Sequence, residues 1–333
     1  MIFRVVRFLA WFLVWLVAIG CAAWALGALA FDFPDRSLRR FVSIGFALVI
    51  VASLIFLPGR GRKLGAVALC FVAVLAWWLT LKPSNDRQWQ PDVAKTGWAK
   101  IQGDTVMVHN VRDCNYQSET LYAPQWSTRL VRLSEITGID MAFNYWGSPW
   151  MAHPVVSFTF ERQPPLSFSI ETRKEVGESY SAIGGIYRQY ELVYIAATER
   201  DVLGVRTIFR KGEDVFLYRL TITPEQARAR FLEYVNTMNE LNDRPRWYNA
   251  VTTNCTTSIR SQHPAARRGA WDWRMLVNGK GDEMMYERRW IQTFGLPFVE
   301  LKQRSRINDV AKAAGQVPDF SVRIREVWKS AQD

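Results

Sequence analysis

The sequence predicts a membrane-anchored protein whose large C-terminal part is an α+β domain with a largely antiparallel sheet. Three observations predict this architecture. The first 82 residues contain three long apolar runs, the next part of the chain alternates β-branched and aromatic segments with turn residues, and helical periodicity begins only after residue 223. Strands and helices that are segregated along the chain in this way are typical of α+β domains.

The three N-terminal runs are long enough to cross a bilayer. Residues 8–31 form 24 consecutive uncharged residues, residues 41–57 form 17 and residues 64–81 form 18. A hydrocarbon core of about 30 Å needs about 20 apolar helical residues, so the second run is only just long enough. The predicted organisation is a transmembrane region over residues 1–82, a linker over residues 83–100 and a domain outside the bilayer over residues 101–333.

The first run also has features of a processed segment. Ala28-Leu29-Ala30 has the form of a signal-peptidase site, and Ala18-Ile19-Gly20-Cys21 that of a weak lipid-attachment box. A cleaved signal has an apolar region of about 7–15 residues. This run is longer and two more follow it, so an uncleaved first span is favoured.

The positive charge of the chain is concentrated beside the predicted spans. The net charge is +11, and residues 1–82 alone contribute +7. Basic residues at span ends contact anionic lipid headgroups, and the rest of the chain has no basic stripe of the kind that binds nucleic acid. With the N-terminus inside, five Lys or Arg residues flank the spans on the inner side and six on the outer side, so charge does not orient the protein.

Six short segments beyond the linker have the composition of strands. They are residues 106–111, 155–160, 166–172, 187–197, 203–209 and 215–220. Arg162-Gln163-Pro164-Pro165 is expected to turn the second segment back on the third as a hairpin. A capping box at Thr223–Gln226 predicts a helix over residues 224–241, and further helices are predicted over residues 255–261 and 318–330.

Few residues outside the spans have the chemistry of a nucleophile. Cys255 follows an Asn- and Thr-rich segment and precedes a predicted helix, which places its thiol at a helix N-terminus. There the helix dipole stabilises a thiolate and lowers the thiol pKa from about 8.5. A thiolate beside an imidazole is the attacking half of a cysteine acyl-transfer site.

His153 is the candidate base, because it begins a predicted strand that would hold its ring in a cleft. Glu171, on the next predicted strand, could accept the second imidazole N–H and orient the ring. The hairpin register cannot be read from the sequence, so the assignment of Glu171 is weaker.

Structural interpretations of the same residues stay open. Cys255 could be a small buried residue, or it could form a disulfide with Cys114 in an oxidising compartment. The other histidines, His109 and His263, are interpreted as structural. With so few soft ligands the sequence predicts no metal site, and it gives no indication of another cofactor.

Several segments together resemble the family of Lnb N-terminal periplasmic domains in the bacterial envelope. The most specific is Asn254-Cys255-Thr256-Thr257, which follows Tyr248-Asn249. The others are His109–Asp113, Ala152-His153, Ser157-Phe158, Ser169–Glu175, Tyr190-Glu191, Glu199–Asp201 and Arg206-Thr207, so that the resemblance covers about residues 100–265.

The resemblance implies a permuted papain-like thiol-enzyme fold, related to NlpC-type and lecithin:retinol acyltransferase-like domains. In such folds the histidine comes first on a strand and the cysteine later at a helix N-terminus, which is the order of His153 and Cys255. The resemblance also implies that the domain is periplasmic and that the spans lie in the inner membrane. One departure is that the spans precede the domain here, whereas the family's namesake has its membrane domain after it.

The resulting hypothesis is a membrane-anchored periplasmic cysteine acyltransferase that acts on membrane lipids or lipoproteins. Cys255 would be the nucleophile, His153 the base and Glu171 the residue that orients it, with Asn254 and Tyr248 lining the pocket. Arg112 and Arg173 could bind a lipid phosphate or a carboxylate, or could instead form salt bridges with Asp113, Glu171 or Glu175. A cysteine amidase or peptidase acting on cell-wall peptides, and a non-catalytic envelope scaffold, remain as alternatives; the sequence does not give the oligomeric state.

Overall fold

The computed structural model describes residues 2–252, 272–275 and 278–331. The chain divides into two compact units. The first contains residues 1–84 together with the segments 180–191 and 247–250, and the second contains the remaining described residues.

The first unit is built on three long helices, α1 (Ile2–Asp32), α2 (Arg36–Phe56) and α3 (Arg60–Thr80). All three are long and apolar enough to cross a membrane, as the sequence predicts. Helix α2 begins five residues earlier than predicted because Asp35 caps it, accepting a hydrogen bond from the Ser37 backbone N–H at 2.9 Å. Gly59, with φ of 79°, forms the turn into α3.

The second unit is built on a mixed sheet that is mostly antiparallel. Its strands are β1 (Trp98–Gln102), β2 (Thr105–Arg112), β5 (Trp126–Arg132), β6 (Ile136–Trp146), β7 (Ala152–Phe160), β8 (Leu166–Arg173), β9 (Glu191–Ala197) and β10 (Glu213–Arg219). Their order is β1-β2-β9-β8-β7-β6-β10, and β5 also pairs with β2. Strands β3 (Asn115–Tyr116) and β4 (Tyr122–Ala123) form a separate hairpin. The short parallel contact between β2 and β9 joins Arg112 to Ala197.

The helices of this unit follow or interrupt the strands. They are α4 (Glu199–Val202), a π-helical turn over Val205–Phe209, α5 (Pro224–Asp243), α6 (Gly281–Glu287), α7 (Phe298–Arg304), α8 (Asn308–Ala314) and α9 (Phe320–Arg323). Short 3-10 turns cover Pro91–Val93, Leu133–Glu135, Trp273–Met275, Asn278–Lys280 and Ile324–Ala331.

Helix α5 covers one face of the sheet. Phe158 on β7 packs edge-to-face against Phe231 and Tyr234 of α5, with ring centroids 5.1 and 5.7 Å apart. The opposite face, which carries Val155 of β7, packs in a core with α4, α8 and α9. Because side chains alternate along a strand, His153 and Ser157 share the face of Val155.

The structure confirms several predicted elements. The hairpin forms as β7 and β8, with Val155 opposite Ser169 and Phe158 opposite Leu166. Helix α5 has the predicted capping box and runs two residues beyond the predicted end.

The prediction of a strand over residues 203–209 is wrong. That segment continues from α4, whose cap Thr198 accepts from the Asp201 backbone N–H at 3.2 Å, into the π-helical turn. Leu203 and Val205 are buried, and a short apolar run with no polar face has the same composition in a buried helix as in a strand.

Other boundaries differ from the prediction. Strand β9 begins at Glu191 rather than at residue 187, after a 3-10 turn at Gly184–Ile186. Strands β1, β5 and β6 were not predicted, and the C-terminal helix is split into α9 and a 3-10 turn. The helix predicted over residues 255–261 lies outside the described residues.

Candidate functional site

The hairpin of β7 and β8 determines which side chains lie beside His153. Val155 is opposite Ser169, and continuing this antiparallel register by two residues places Glu171 opposite His153. On the other side of β7, Asn144 of β6 is the partner of His153. The sheet therefore supplies the register that the sequence alone does not give.

A hydrogen-bonded cluster joins the imidazole to the carboxylate. The Nε2 atom of His153 lies 2.7 Å from the Ser169 hydroxyl and 3.3 Å from Oε1 of Glu171. The Ser169 hydroxyl donates to the same Oε1 at 2.6 Å. We call His153, Ser169, Glu171 and Arg206 the histidine cluster.

Arg206 completes the histidine cluster from the π-helical turn. Its Nη2 donates to Oε1 of Glu171 at 2.8 Å, and its Nη1 donates to the Val202 carbonyl at 2.6 Å. Its side chain is only 6% exposed, so the guanidinium is fixed in place. π-Helical turns are rare and are frequent at functional sites.

The cluster assigns the proton on the imidazole. The single hydrogen of the Ser169 hydroxyl is donated to Glu171, so Ser169 can only accept from His153. We therefore assign a hydrogen to Nε2 of the neutral ring, and Nδ1 then carries the lone pair that can accept a proton from a thiol.

The charge of Glu171 is stabilised by its neighbours. Burial opposes ionisation, but the attraction of His153 and then of Arg206 holds the pKa of Glu171 well below its ordinary value of 4.5. Glu171 is therefore a carboxylate at neutral pH, and it favours the imidazolium that forms when His153 accepts a proton. The cluster can perform general acid–base chemistry.

Two of the predicted site residues, Cys255 and Asn254, lie outside the described residues. Tyr248 is described in the first unit, where it is buried and its backbone N–H donates to the Tyr190 carbonyl at 2.9 Å. Its ring lies against Gly185, where an added Cβ would come within 3.3 Å of the Tyr248 ring.

Arg112 is buried in a structural ion pair. Its Nη2 donates to Asp201 at 2.7 Å and its Nη1 donates to the Asp92 carbonyl at 2.9 Å. The predicted alternative partner, Asp113, instead pairs with Arg200 at 2.6 Å. Arg112 therefore ties β2 to α4, the helix that leads into the π-helical turn.

Arg173 is also buried and engaged with the protein. Its guanidinium donates to the Val93 and Ala94 carbonyls at 2.9 Å each, and it lies 4.3 Å from the centre of the Trp89 ring. None of these partners was predicted, since the predicted partners were carboxylates. Arg173 holds the segment around residues 89–94 against the sheet.

The other candidate residues of the second unit, Cys114 and His109, have structural surroundings. Cys114 is a free, buried thiol, which argues against a disulfide with Cys255, and burial raises its pKa to about 12. His109 stacks on Trp98 with ring centroids 3.9 Å apart. Within the described parts of the chain, no group of His, Cys, Asp or Glu could hold a metal ion.

Sequence reasoning gave no role to two members of the cluster, Ser169 and Arg206. Ser169 could have been found, because it lies two residues before Glu171 and therefore on the same face of β8. Arg206 had one signal, because Arg206-Thr207 is among the segments that resemble the family. Its contact with Glu171 could not be predicted, because the contact depends on the π-helical turn and the segment was predicted as a strand.

The fold and the histidine cluster define an α+β domain with a hydrogen-bonded histidine and carboxylate on neighbouring strands, in a chain with three apolar N-terminal helices. Residues 122–279, just under half of the chain, match the model of the Lnb N-terminal periplasmic domain family. The match confirms the family resemblance and indicates a protein of the bacterial envelope. It contains His153, Glu171 and Cys255, whereas His109 and Arg112 precede it. Neither curated proteins nor solved structures gave a match to the chain.

Proposed function

We propose that the protein is a membrane-anchored, periplasmic, cysteine-dependent acyltransferase that acts on lipid or lipoprotein substrates. The observation that carries the proposal is the histidine cluster, in which a carboxylate and a serine hold Nε2 of His153 and leave the lone pair to Nδ1. The permuted papain-like arrangement that the resemblance implies is part of the proposal.

The first half-reaction transfers an acyl group to the thiol. His153 takes the proton of the Cys255 thiol, and the sulfur attacks the carbonyl carbon of an ester. The tetrahedral intermediate collapses to a thioester, and the leaving alcohol takes the proton from His153. Glu171 lowers the free energy of the imidazolium that exists between these two proton transfers.

The second half-reaction transfers the acyl group to the acceptor. His153 takes a proton from an amine or hydroxyl acceptor, which attacks the thioester, and the proton returns to the departing thiolate. Water as the acceptor would give a hydrolase with the same residues. The acceptor therefore separates a transferase from a hydrolase.

The proposed topology has an uncleaved first span and three spans in the inner membrane. An odd number of spans places the N-terminus and the second unit on opposite sides. The family match to a periplasmic domain supports a cytoplasmic N-terminus. A cysteine reporter for membrane-impermeant reagents, placed before Arg4, tests this orientation.

The test of the chemistry is mass spectrometry of the full chain purified from membranes. We expect a hydroxylamine-labile acyl adduct on Cys255 that is absent in Cys255→Ser. His153→Ala should lower the rate of adduct formation by about 10²- to 10⁴-fold, because the general base is lost. His109→Ala is the matched control and should keep the adduct, since His109 stacks on Trp98 and hydrogen-bonds Thr128, neither of which belongs to the histidine cluster.

Two results would contradict the proposal. One is a Cys255 that never carries an adduct and resists a small alkylating reagent at neutral pH, which would indicate an unactivated thiol. The other is equal adduct formation in His153→Ala and the wild-type chain.

A further inference from the structure

Within the first unit, residues 180–191 pack on the C-terminal ends of α1 and α3; we call this segment the docking loop. The backbone N–H of Arg188 donates to both carboxylate oxygens of Asp32 at 3.1 Å. The Arg188 guanidinium lies 3.7 Å from the centre of the Trp78 ring and donates to the Trp78 carbonyl at 2.6 Å. The Trp78 indole in turn donates to Asp32 at 2.6 Å, so one carboxylate joins both helices to the docking loop.

Tyr187 of the docking loop reaches further along α1. Its ring stacks on Phe31 with centroids 5.5 Å apart and lies 6.2 Å from Trp24. An added Cβ at Gly27 would overlap the Tyr187 hydroxyl, so a larger side chain there would displace the tyrosine ring. Trp24 precedes the end of α1 at Asp32 by about 12 Å at the helical rise. Tyr187 therefore contacts part of the uncharged run that is predicted to lie in the bilayer.

The docking loop also exposes aliphatic side chains. Ile183 is 62% exposed and Ile186 is 48% exposed. Burial of such a side chain away from water is favourable, and that free energy is not gained while it faces water. Tyr187 of the same loop packs in one apolar cluster with Trp77 and Trp78 at the end of α3, and tyrosine and tryptophan are the residues enriched at membrane interfaces.

We propose that the docking loop is a membrane-interface insertion, with Ile183 and Ile186 in the boundary between headgroups and acyl chains at the C-terminal ends of α1 and α3. The occupant of this apolar surface is the lipid of the membrane that the helices cross. Tyr187 contacts the apolar run of α1, which the same lipid would surround. Arg188 carries a positive charge that can lie at the depth of the lipid headgroups.

The insertion has a consequence for the nucleophile, which rests on the proposed function. Residues 247–250 are held by the docking loop, since the Ala250 N–H donates to the Gly185 carbonyl at 2.7 Å and the Asn249 amide donates to the Ile186 carbonyl at 2.9 Å. Cys255 follows Ala250 by five residues, which span at most about 18 Å. For the proposed acyltransferase, an insertion at this point of the chain favours an acyl donor that is an ester of a membrane lipid.

The test is photocrosslinking of the full chain in vesicles of phosphatidylethanolamine and phosphatidylglycerol. A benzophenone amino acid is placed at Ile183 or at Ile186, and lipid adducts are measured by mass spectrometry. Ile55, 64% exposed on α2, is the positive control, and Leu121, 59% exposed in the second unit, is the negative control. We expect lipid adducts at both docking-loop positions in yields within about threefold of the yield at Ile55.

Adducts at Ile55 together with background yields at Ile183 and Ile186 would overturn the insertion. Crosslinks from both positions to a second protein chain would overturn it as well. A second measurement separates this inference from the proposed function. In the variant Ile183→Asp with Ile186→Asp, acyl transfer from vesicle lipid to Cys255 should fall tenfold or more while alkylation by a small reagent stays unchanged.

If no variant and no wild-type chain ever forms the acyl adduct, the proposed function fails. The crosslinking yields still decide the insertion in that case, because they do not depend on Cys255.

Discussion

Two polar clusters lie on the same face of the sheet and differ in what they can do. The histidine cluster lies at the start of β7 and the end of β8. The second, which we call the arginine cluster, contains Asp140, Glu199, Arg219 and Arg325. Ser157 and Ser167, whose hydroxyls are 2.8 Å apart, lie between them on the same two strands.

The arginine cluster is built of buried ion pairs. The side chains of Asp140 and Glu199 are 0% exposed, and Arg325 donates to each carboxylate at 2.7 Å. Arg219 forms a further ion pair with Asp140. Burial opposes the ionisation of Glu199, but Arg325 overcomes it and lowers the pKa of Glu199. For Asp140, burial outweighs the attraction of Arg325 and Arg219 and raises the pKa. Because both carboxylates are enclosed and each is paired with an arginine, we interpret the role of this cluster as structural.

The histidine cluster differs in composition and in exposure. It contains an imidazole, which can both accept and donate a proton, and its Glu171 side chain is 24% exposed rather than enclosed. Buried charge is therefore not in itself a sign of a site in this domain. The site is distinguished by the imidazole of His153, whose carboxylate partner, Glu171, is also paired with the fixed guanidinium of Arg206.

The largest expected effect is on stability, from Arg325→Ala. The change leaves Glu199 buried without its cation, and breaking such a pair costs about 3–5 kcal/mol in the free energy of unfolding. Urea unfolding in detergent, followed by tryptophan fluorescence, measures it. Arg323→Ala is the matched control, because its pair with Asp319 has side chains 48% and 53% exposed, and it should cost below about 1 kcal/mol. Equal losses in the free energy of unfolding for Arg325→Ala and Arg323→Ala would show that the arginine cluster is no more structural than a surface ion pair.

A smaller effect is expected on reactivity, from Arg206→Met. Glu171 loses the donor that fixes it beside His153, and we expect a drop of about tenfold in the alkylation rate of Cys255, or about 1.4 kcal/mol. Arg206→Lys should give an intermediate rate, because an ammonium group restores the charge but lacks the rigid planar guanidinium that donates to both Glu171 and the Val202 carbonyl.

The pH profile of alkylation separates a positioning role from a packing role. In Arg206→Met the pKa of Glu171 should move up towards its ordinary value of 4.5, so that the profile changes below about pH 5. A Met variant with the wild-type rate and profile would show that Arg206 serves packing alone.

The parts of this structure that the sequence predicted are those controlled by local signals. Uninterrupted apolar runs predicted α1, α2 and α3, and a capping box predicted α5. The turn around Pro164 predicted the hairpin, and with it the neighbourhood of His153 and Glu171. These signals lie within a few residues of the elements they specify.

The parts that the sequence did not predict depend on contacts between distant segments. Arg206 meets Glu171 only because Asp201, held by Arg112 from β2, fixes α4 ahead of the π-helical turn. Arg112 and Arg173 have the composition of anion-binding residues, and their burial against Asp201 and against backbone carbonyls follows from the fold. The pairing of Cys255 with His153 stays a prediction, as Cys255 lies outside the described residues.

The smallest expected effect is the pH dependence of stability that Glu171 contributes. Its pKa is lower in the folded chain than in the unfolded chain, so its stabilising contribution is fully present above the unfolded value of about 4.5 and is lost as the pH falls through the lower folded value. Glu171→Gln should therefore unfold more easily than the wild-type chain by roughly 1 kcal/mol at pH 6–7, the order of one net hydrogen bond. The difference should shrink only below about pH 4.

Thermal unfolding of both chains between pH 3 and pH 7 measures this difference in stability, with Glu240→Gln as the control, since Glu240 pairs with Arg246 at the surface. A difference that instead disappears between pH 5 and pH 6 would mean that Glu171 is not held as a carboxylate by Arg206 and His153, and the contrast between the two clusters would then rest on exposure alone.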